Sequence, residues 1–210
     1  MNKYIIGILV IAALAGCSQN FKEAEKKIVE PCCKQDSQTV PLNKENIPAE
    51  SIFQLTDSFQ TQEGKAFSLS MLNGKTTVIG MIFTHCTYAC PRLTADIKSI
   101  ADSLKGEAGK LNYVLVSFDT ERDIPARLKI FADEMGLNKN WILLHGSEET
   151  VRTLSVLLNV QYEKDAEGNF SHSNLVSVLD KNGVLQYQKE GLGAAHTETI
   201  KTIQKLIQQK

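Results

Sequence analysis

Cys86 and Cys90 have three residues between them and stand just after an apolar, β-branched run and directly before a helical pattern that opens on Pro91. A cysteine at a helix start meets free backbone N–H groups and a partial positive charge, which together favour the thiolate. Side chains four residues apart in a helical turn face the same way, about 5–6 Å apart at Cβ. Two such thiols can close a disulfide or converge on one soft metal ion. Thiolates favour copper(I), zinc or iron–sulfur clusters, and two sulfurs under-coordinate most metals, so a third ligand is expected. The candidates are His85, His145, His172 and His196. His85 is adjacent to Cys86 and is expected to point away from the pair. His145 is read as a loop or edge histidine, and His196 as a surface residue opening the last helix.

The elements that must position the pair follow from patterning. Ile52 to Leu55 and Ala66 to Leu69 read as a hairpin around the turn Thr61 to Lys65. Thr76 to Phe83 and Leu111 to Phe118 read as buried strands, being continuous apolar runs rather than alternating ones. Pro91 to Lys105 carries apolar residues at helical spacing, with Pro91 in the first turn. Pro125 opens a second helix that Gly136 stops, Trp141 to Leu144 is a short strand, and Ser147 caps a third helix. Leu175 to Leu179 and Val184 to Tyr187 flank Asp180-Lys181-Asn182-Gly183, a hairpin turn. Thr197 to Ile207 is an amphipathic closing helix. Strands alternating with helices and then a terminal hairpin plus helix make an α/β, thioredoxin-like fold, a central mixed β-sheet flanked by helices, with an N-terminal β-hairpin.

In that arrangement the segment Phe170-Ser171-His172-Ser173, just before the last hairpin, passes beside the cysteine helix. Thioredoxins place a cis-proline there, against the redox pair. This chain has no proline after Pro125. A histidine in its place favours metal binding over generic disulfide exchange.

Phe83-Thr84-His85-Cys86-Thr87-Tyr88-Ala89-Cys90-Pro91 resembles the Cys-x-x-x-Cys-Pro motif of the Sco/SenC family. Ser117 to Asp123 resembles that family's stretch after the next strand, and His172-Ser173 followed by Val178-Leu179-Asp180 resembles its histidine segment. The likeness runs from about residue 50 to 208. It implies a copper site of Cys86, Cys90 and His172 taking copper(I), with copper(II) as a second state. It also implies a metallochaperone, not an enzyme in the usual sense, that delivers copper to cytochrome c oxidase subunit II or reduces the cysteines of its copper site. The alternatives keep the same thiols: a thiol–disulfide oxidoreductase in which Cys86 and Cys90 are redox-active and work with a thiol reductant, or a redox or copper sensor. Two departures stand out. Ser171 replaces an Asp that many members carry before the histidine, which leaves the imidazole with a weak side-chain acceptor and copper(II) binding less supported. Thr87-Tyr88 replaces a frequent Pro-Asp.

The N-terminus bears on compartment. Lys3, then the apolar run Tyr4 to Leu14, then small residues, make a signal-peptide layout too short for a comfortable membrane span. Leu14-Ala15-Gly16-Cys17 resembles the lipobox of bacterial lipoproteins, which implies cleavage before Cys17 and lipidation of its thiol. The expected organisation is a signal peptide over 1–16, a lipid-anchored tether over 17–49 and the folded domain over 50–210. The location is then extracytoplasmic and at the membrane, periplasmic in a cell with two membranes. As a random coil, about 30 tether residues span roughly 30 Å. Cys32-Cys33 in that tether reads as linker thiols, an accessory copper-handling or thiol-exchange site, or an intermolecular pair. Nothing in the formal charge of −1, with no long basic run, suggests a nucleic-acid surface, and no nucleic-acid partner is expected.

Overall fold

The computed structural model describes residues 47–209. In chain order the regular elements are β1 (Ser58–Thr61), β2 (Ala66–Ser68), β3 (Thr76–Ile82), α1 (Ala89–Ser103), β4 (Leu111–Ser117), α2 (Pro125–Glu134), β5 (Trp141–His145), α3 (Glu148–Leu157), β6 (Tyr162–Lys164), β7 (Phe170–His172), β8 (Leu175–Leu179), β9 (Leu185–Glu190) and α4 (Thr197–Gln208). Seven strands form one mixed sheet in the order β2-β1-β5-β4-β3-β8-β9. The pairs β3/β4 and β4/β5 are parallel, and β1/β2, β1/β5, β3/β8 and β8/β9 are antiparallel. Every residue of β3 is buried. Since successive side chains point to opposite faces, both faces of the sheet are covered there. That is why Thr76 to Ile82 carries no polar alternation.

The helix that matters for the site lies directly on this strand. Cys90, Leu93, Ile97 and Ile100 of α1 are buried at helical spacing. Gly80, at the middle of β3, lets the helix come close: a Cβ there would stand 2.9 Å from Ile97 Cδ1. α1 and α4 pack on each other and on β3, while α2 packs on β5.

Three expectations shift. The N-terminal hairpin is present, but its first strand is Ser58–Thr61. Ile52–Gln54 is instead a 3-10 turn whose cap, Ser51, accepts the N–H of Phe53. The i to i+3 bonds from Gln54 N–H to the Ser51 carbonyl and from Leu55 N–H to the Ile52 carbonyl, both 3.1 Å, make this a turn, with Ile52 and Phe53 buried in it. Residues 162–172 form a small hairpin of their own, β6/β7, hydrogen-bonded as a separate two-stranded sheet. His196 is buried rather than superficial, with Nε2 3.6 Å from Asp96 Oδ1 on α1.

Candidate metal centre

The site is built at the C-terminal end of β3, where the strand runs into α1. The connecting loop is fastened at several points. Thr84 donates its backbone N–H to Asp123 Oδ2 at 2.7 Å and its hydroxyl to Asp123 Oδ1 at 2.5 Å. Ser117 donates its hydroxyl to Asp123 Oδ2 at 2.6 Å, and Arg127 donates Nε to Thr84 Oγ1 at 2.9 Å. Asp123 is fully buried, so its charge is held by three donors in place of water. The Cys86 N–H bonds the Phe83 carbonyl at 3.3 Å. Cys86 is therefore fixed in a turn before the helix rather than inside it.

Both sulfurs take part in this frame. Tyr88, the residue before α1, provides no side-chain cap. Cys86 Sγ fills that role by accepting the Cys90 N–H at 3.4 Å, and Cys90 Sγ accepts the Phe83 N–H at 3.3 Å. Cys90 is fully buried and Cys86 half-buried, and both are free thiols. The helix start was expected to draw such a thiol toward the thiolate. For Cys90 the opposite holds: burial pushes its thiol well above the ordinary range, and the Phe83 N–H offsets only part of that. Desolvation outweighs the helix end because no counter-charge lies against the sulfur.

His172 arrives from the other side, on the last residue of β7. Its Nε2 stands 3.6 Å from Cys90 Sγ. Its Nδ1 lies 3.1 Å from the Ser173 carbonyl, an acceptor only, so Nδ1 carries the proton and Nε2 presents a lone pair toward the sulfur. The backbone thus supplies the orienting acceptor that Ser171 was expected to provide only weakly. Burial holds the imidazole below its ordinary pKa, which keeps it neutral and able to ligate. The ring packs on Phe118 at 5.0 Å and edge-on to Phe83 at 6.0 Å, with Phe170 and Tyr162 completing an aromatic floor.

The ligand atoms of Cys86, Cys90 and His172 all lie within 4.8 Å of one another. Donors about 2.0–2.3 Å from a shared ion are roughly 3.3–4.0 Å apart at tetrahedral or trigonal angles, and the 3.6 Å between Cys90 Sγ and His172 Nε2 falls in that range. Two soft sulfurs and one imidazole fit a soft or borderline ion. His85 is not in this group. Its Nδ1 lies 3.5 Å from Asp123 Oδ1 and 4.0 Å from Asp119 Oδ2, and its side chain is 46% exposed. The carboxylates beside it are already taken by Thr84, Ser117 and Arg122, so that trio ties the loop down rather than offering a second seat for a cation. Cys17, Cys32 and Cys33 lie outside the described residues.

The sequence pattern of the SCO1/SenC family matches residues 44–208, which spans both cysteines and His172. This chain belongs to the SCO1/SenC family. The SCO1 protein homolog of Bacillus subtilis is 36% identical over 94 residues, 44% of this chain and 49% of that protein. The match thus spans about half the length of that relative. The SCO1/SenC family lipoprotein of Bacillus anthracis superposes with a TM-score of 0.66 at 28% identity, covering 71% of this chain and 91% of that one. Bradyrhizobium japonicum ScoI, solved with copper bound, gives 0.63 at 24% identity, covering 71% and 96%. The family's thioredoxin-like fold is the fold of this chain.

Sequence reading missed the parts that hold the site rather than form it. Thr84, Ser117 and Asp123 meet across 39 residues of chain, and only the separate motifs hint at them. The hairpin that carries His172 had one local signal, the turn Asp165 to Gly168, where Asp165 Oδ1 accepts the Asn169 N–H and Gly168 takes φ +82°.

Proposed function

We propose that this protein is a copper-binding metallochaperone, with Cys86 and Cys90 as thiolate ligands and His172 as the imidazole ligand. The cargo is copper(I). The recipient is an exported protein whose own copper site is being assembled, such as cytochrome c oxidase subunit II. The observation that carries this is the convergence of His172 Nε2, proton-free, on the two sulfurs. Membership of the family supports it, as does the copper found in the Bradyrhizobium japonicum relative.

The chain's own residues prepare the exchange. Cys90 is kept as a buried, protonated thiol, so an arriving cation takes the place of its proton. Cys86 is half-buried and reachable, so a client's ligand meets that sulfur first. A lipidated Cys17 and the tether over 17–49 would hold the domain at the outer face of the membrane. The Bacillus anthracis relative is named as a lipoprotein, which fits.

A second reading has its own observation. Both thiols are free, close and unequally exposed, the arrangement of an attacking and a resolving cysteine. In that case the protein is a thiol–disulfide oxidoreductase, and an exported client's cysteines are the substrate.

A competition titration with copper(I), under reducing anaerobic conditions, separates the two. The material is the chain from residue 18 with Cys32 and Cys33 replaced by serine. Tight one-to-one binding lost in Cys86→Ser and Cys90→Ser and much weakened in His172→Ala is the expected result. Binding indifferent to His172 would reject the ligand set and favour the oxidoreductase.

A further inference from the structure

The three converging side chains do not share one support. Cys86 and Cys90 belong to the β3–α1 unit, at the centre of the large sheet and under a buried helix. His172 ends a three-residue strand of the β6/β7 hairpin, which makes no ladder with the large sheet among the described residues. Pairing with the large sheet holds the chain only from Leu175 onward, so the distance between the imidazole and the sulfurs also depends on what holds the hairpin.

The segment after β4 does this. Phe118 lies under the hairpin, stacked on Tyr162 at 5.0 Å and against Phe170 and His172 at the same separation. Immediately beyond it, Asp119 is buried and its Oδ2 accepts from Arg122 Nε at 2.5 Å, while its Oδ1 accepts the Arg122 backbone N–H at 3.3 Å. With its base fixed in this way, Arg122 extends to the far end of the hairpin and donates Nη2 to the carbonyl of Gly168, across 46 residues of chain. The left-handed conformation of Gly168 aims that carbonyl, and the Arg122 guanidinium lies beside it, 3.5 Å from where a Cβ would stand. A second tie, Lys164 Nζ to Glu121 at 2.6 Å, joins the same two segments. Its partners are both exposed, so solvent screens it, and the guanidinium is the stronger clasp.

We propose that Arg122 is the positioning residue for His172: anchored on Asp119, it clasps the tip of the β6/β7 hairpin and so fixes where the imidazole stands over the cysteine pair. The planar fork lets one side chain bind a carboxylate and a carbonyl at once, which a lysine ammonium on a flexible stem cannot reproduce. Arg122 touches none of the ligands and acts only through the hairpin. The proposal rests on the reading of His172 as a copper ligand.

The test is a double-mutant cycle in copper(I) affinity on the chain from residue 18 with Cys32→Ser and Cys33→Ser, using Arg122→Ala, His172→Ala and the pair together. Arg122→Ala is expected to weaken binding about 10-fold, the scale of losing a group that orients a ligand. In the His172→Ala background the same change is expected to cost nothing further, and Arg122→Lys should recover little. Hydrogen exchange of the metal-free proteins is read alongside. Faster exchange at the amides of 162–172, with β3 and β4 unchanged, is the expected signature. An Arg122→Ala protein that binds as tightly as its parent, loses as much in the His172→Ala background, or loses protection throughout the sheet overturns the clasp. If His172→Ala alone leaves affinity unchanged, it is the ligand assignment that has failed, and the clasp falls with it.

Discussion

Two protons govern what Cys90 and His172 can do. Burial favours the neutral form of each, so the thiol keeps its proton and the imidazole refuses a second one. Each shift makes stability depend on pH, in opposite directions. The His172 pKa is lowered from 6.5, so the folded state binds its proton less well than the unfolded chain. That stability is full above 6.5 and drains away as the pH falls through it. The Cys90 pKa is raised from 9.0, so its stability is full below 9.0 and is lost as the pH rises beyond. Urea unfolding of the reduced, metal-free protein should show both edges. His172→Ala should flatten the acid edge, and Cys90→Ala should remove up to about 1.4 kcal/mol per pH unit from the alkaline one. Equal slopes in parent and variants would contradict the burial account. Asp123 offers a separate test. Replacing it by alanine strands the Thr84 N–H, the Thr84 hydroxyl and the Ser117 hydroxyl in the interior. We expect Asp123→Ala to cost about 2–4 kcal/mol in denaturant unfolding and to weaken copper binding by loosening the Cys86 loop.

At the scale of elements, the β8/β9 turn shows how local chemistry and packing agree. Asp180 Oδ1 accepts the N–H groups of Asn182 at 2.8 Å and Val184 at 3.0 Å, and Gly183 takes φ +77°. A Cβ on Gly183 would stand 2.8 Å from the ring of Phe53, itself held by the turn Ile52–Gln54. Gly183→Ala should therefore destabilise by about 1–3 kcal/mol through both strain and overpacking, which a shift in thermal midpoint would report. Elements of this kind were legible in the sequence. The β8/β9 turn has its Asp-x-Asn-Gly signature, β3 and β4 are unbroken apolar runs, and α1 shows its buried stripe by spacing alone. Two features were not legible, for physical reasons. Strands of three residues, such as Tyr162–Lys164 and Phe170–His172, are too short to show a period of two. The first strand was placed too early because Ile52 and Phe53 look like strand residues, and the Ser51 cap and backbone bonds that make them a turn leave no pattern of residue types. The site was legible in its ligands and not in its supports. Cysteine spacing marks a helix start, but nothing in it says how deeply Cys90 is buried. A backbone carbonyl such as that of Ser173 leaves no trace in residue type, and neither does the contact from Arg122 to Gly168.

At the scale of the whole molecule, the question is how the domain meets its partner. No helix among the described residues is long and apolar enough to cross a membrane. Attachment through Cys17 and the tether, as proposed, has its own test. In cells fed a radiolabelled fatty acid, the parent should take up label and sediment with membranes, and Cys17→Ala should do neither; a labelled Cys17→Ala protein would move the anchor elsewhere. The near-neutral formal charge of −1 gives little long-range steering, so binding to a client should depend weakly on salt. Everything else in the account depends on which atoms surround the cargo. X-ray absorption at the copper edge of the copper(I)-loaded chain, with Cys32 and Cys33 replaced by serine, measures this directly. Two sulfurs and one nitrogen around copper are predicted, with the nitrogen gone in His172→Ala. A sulfur-only shell in the parent, or a nitrogen that survives His172→Ala, would contradict the site.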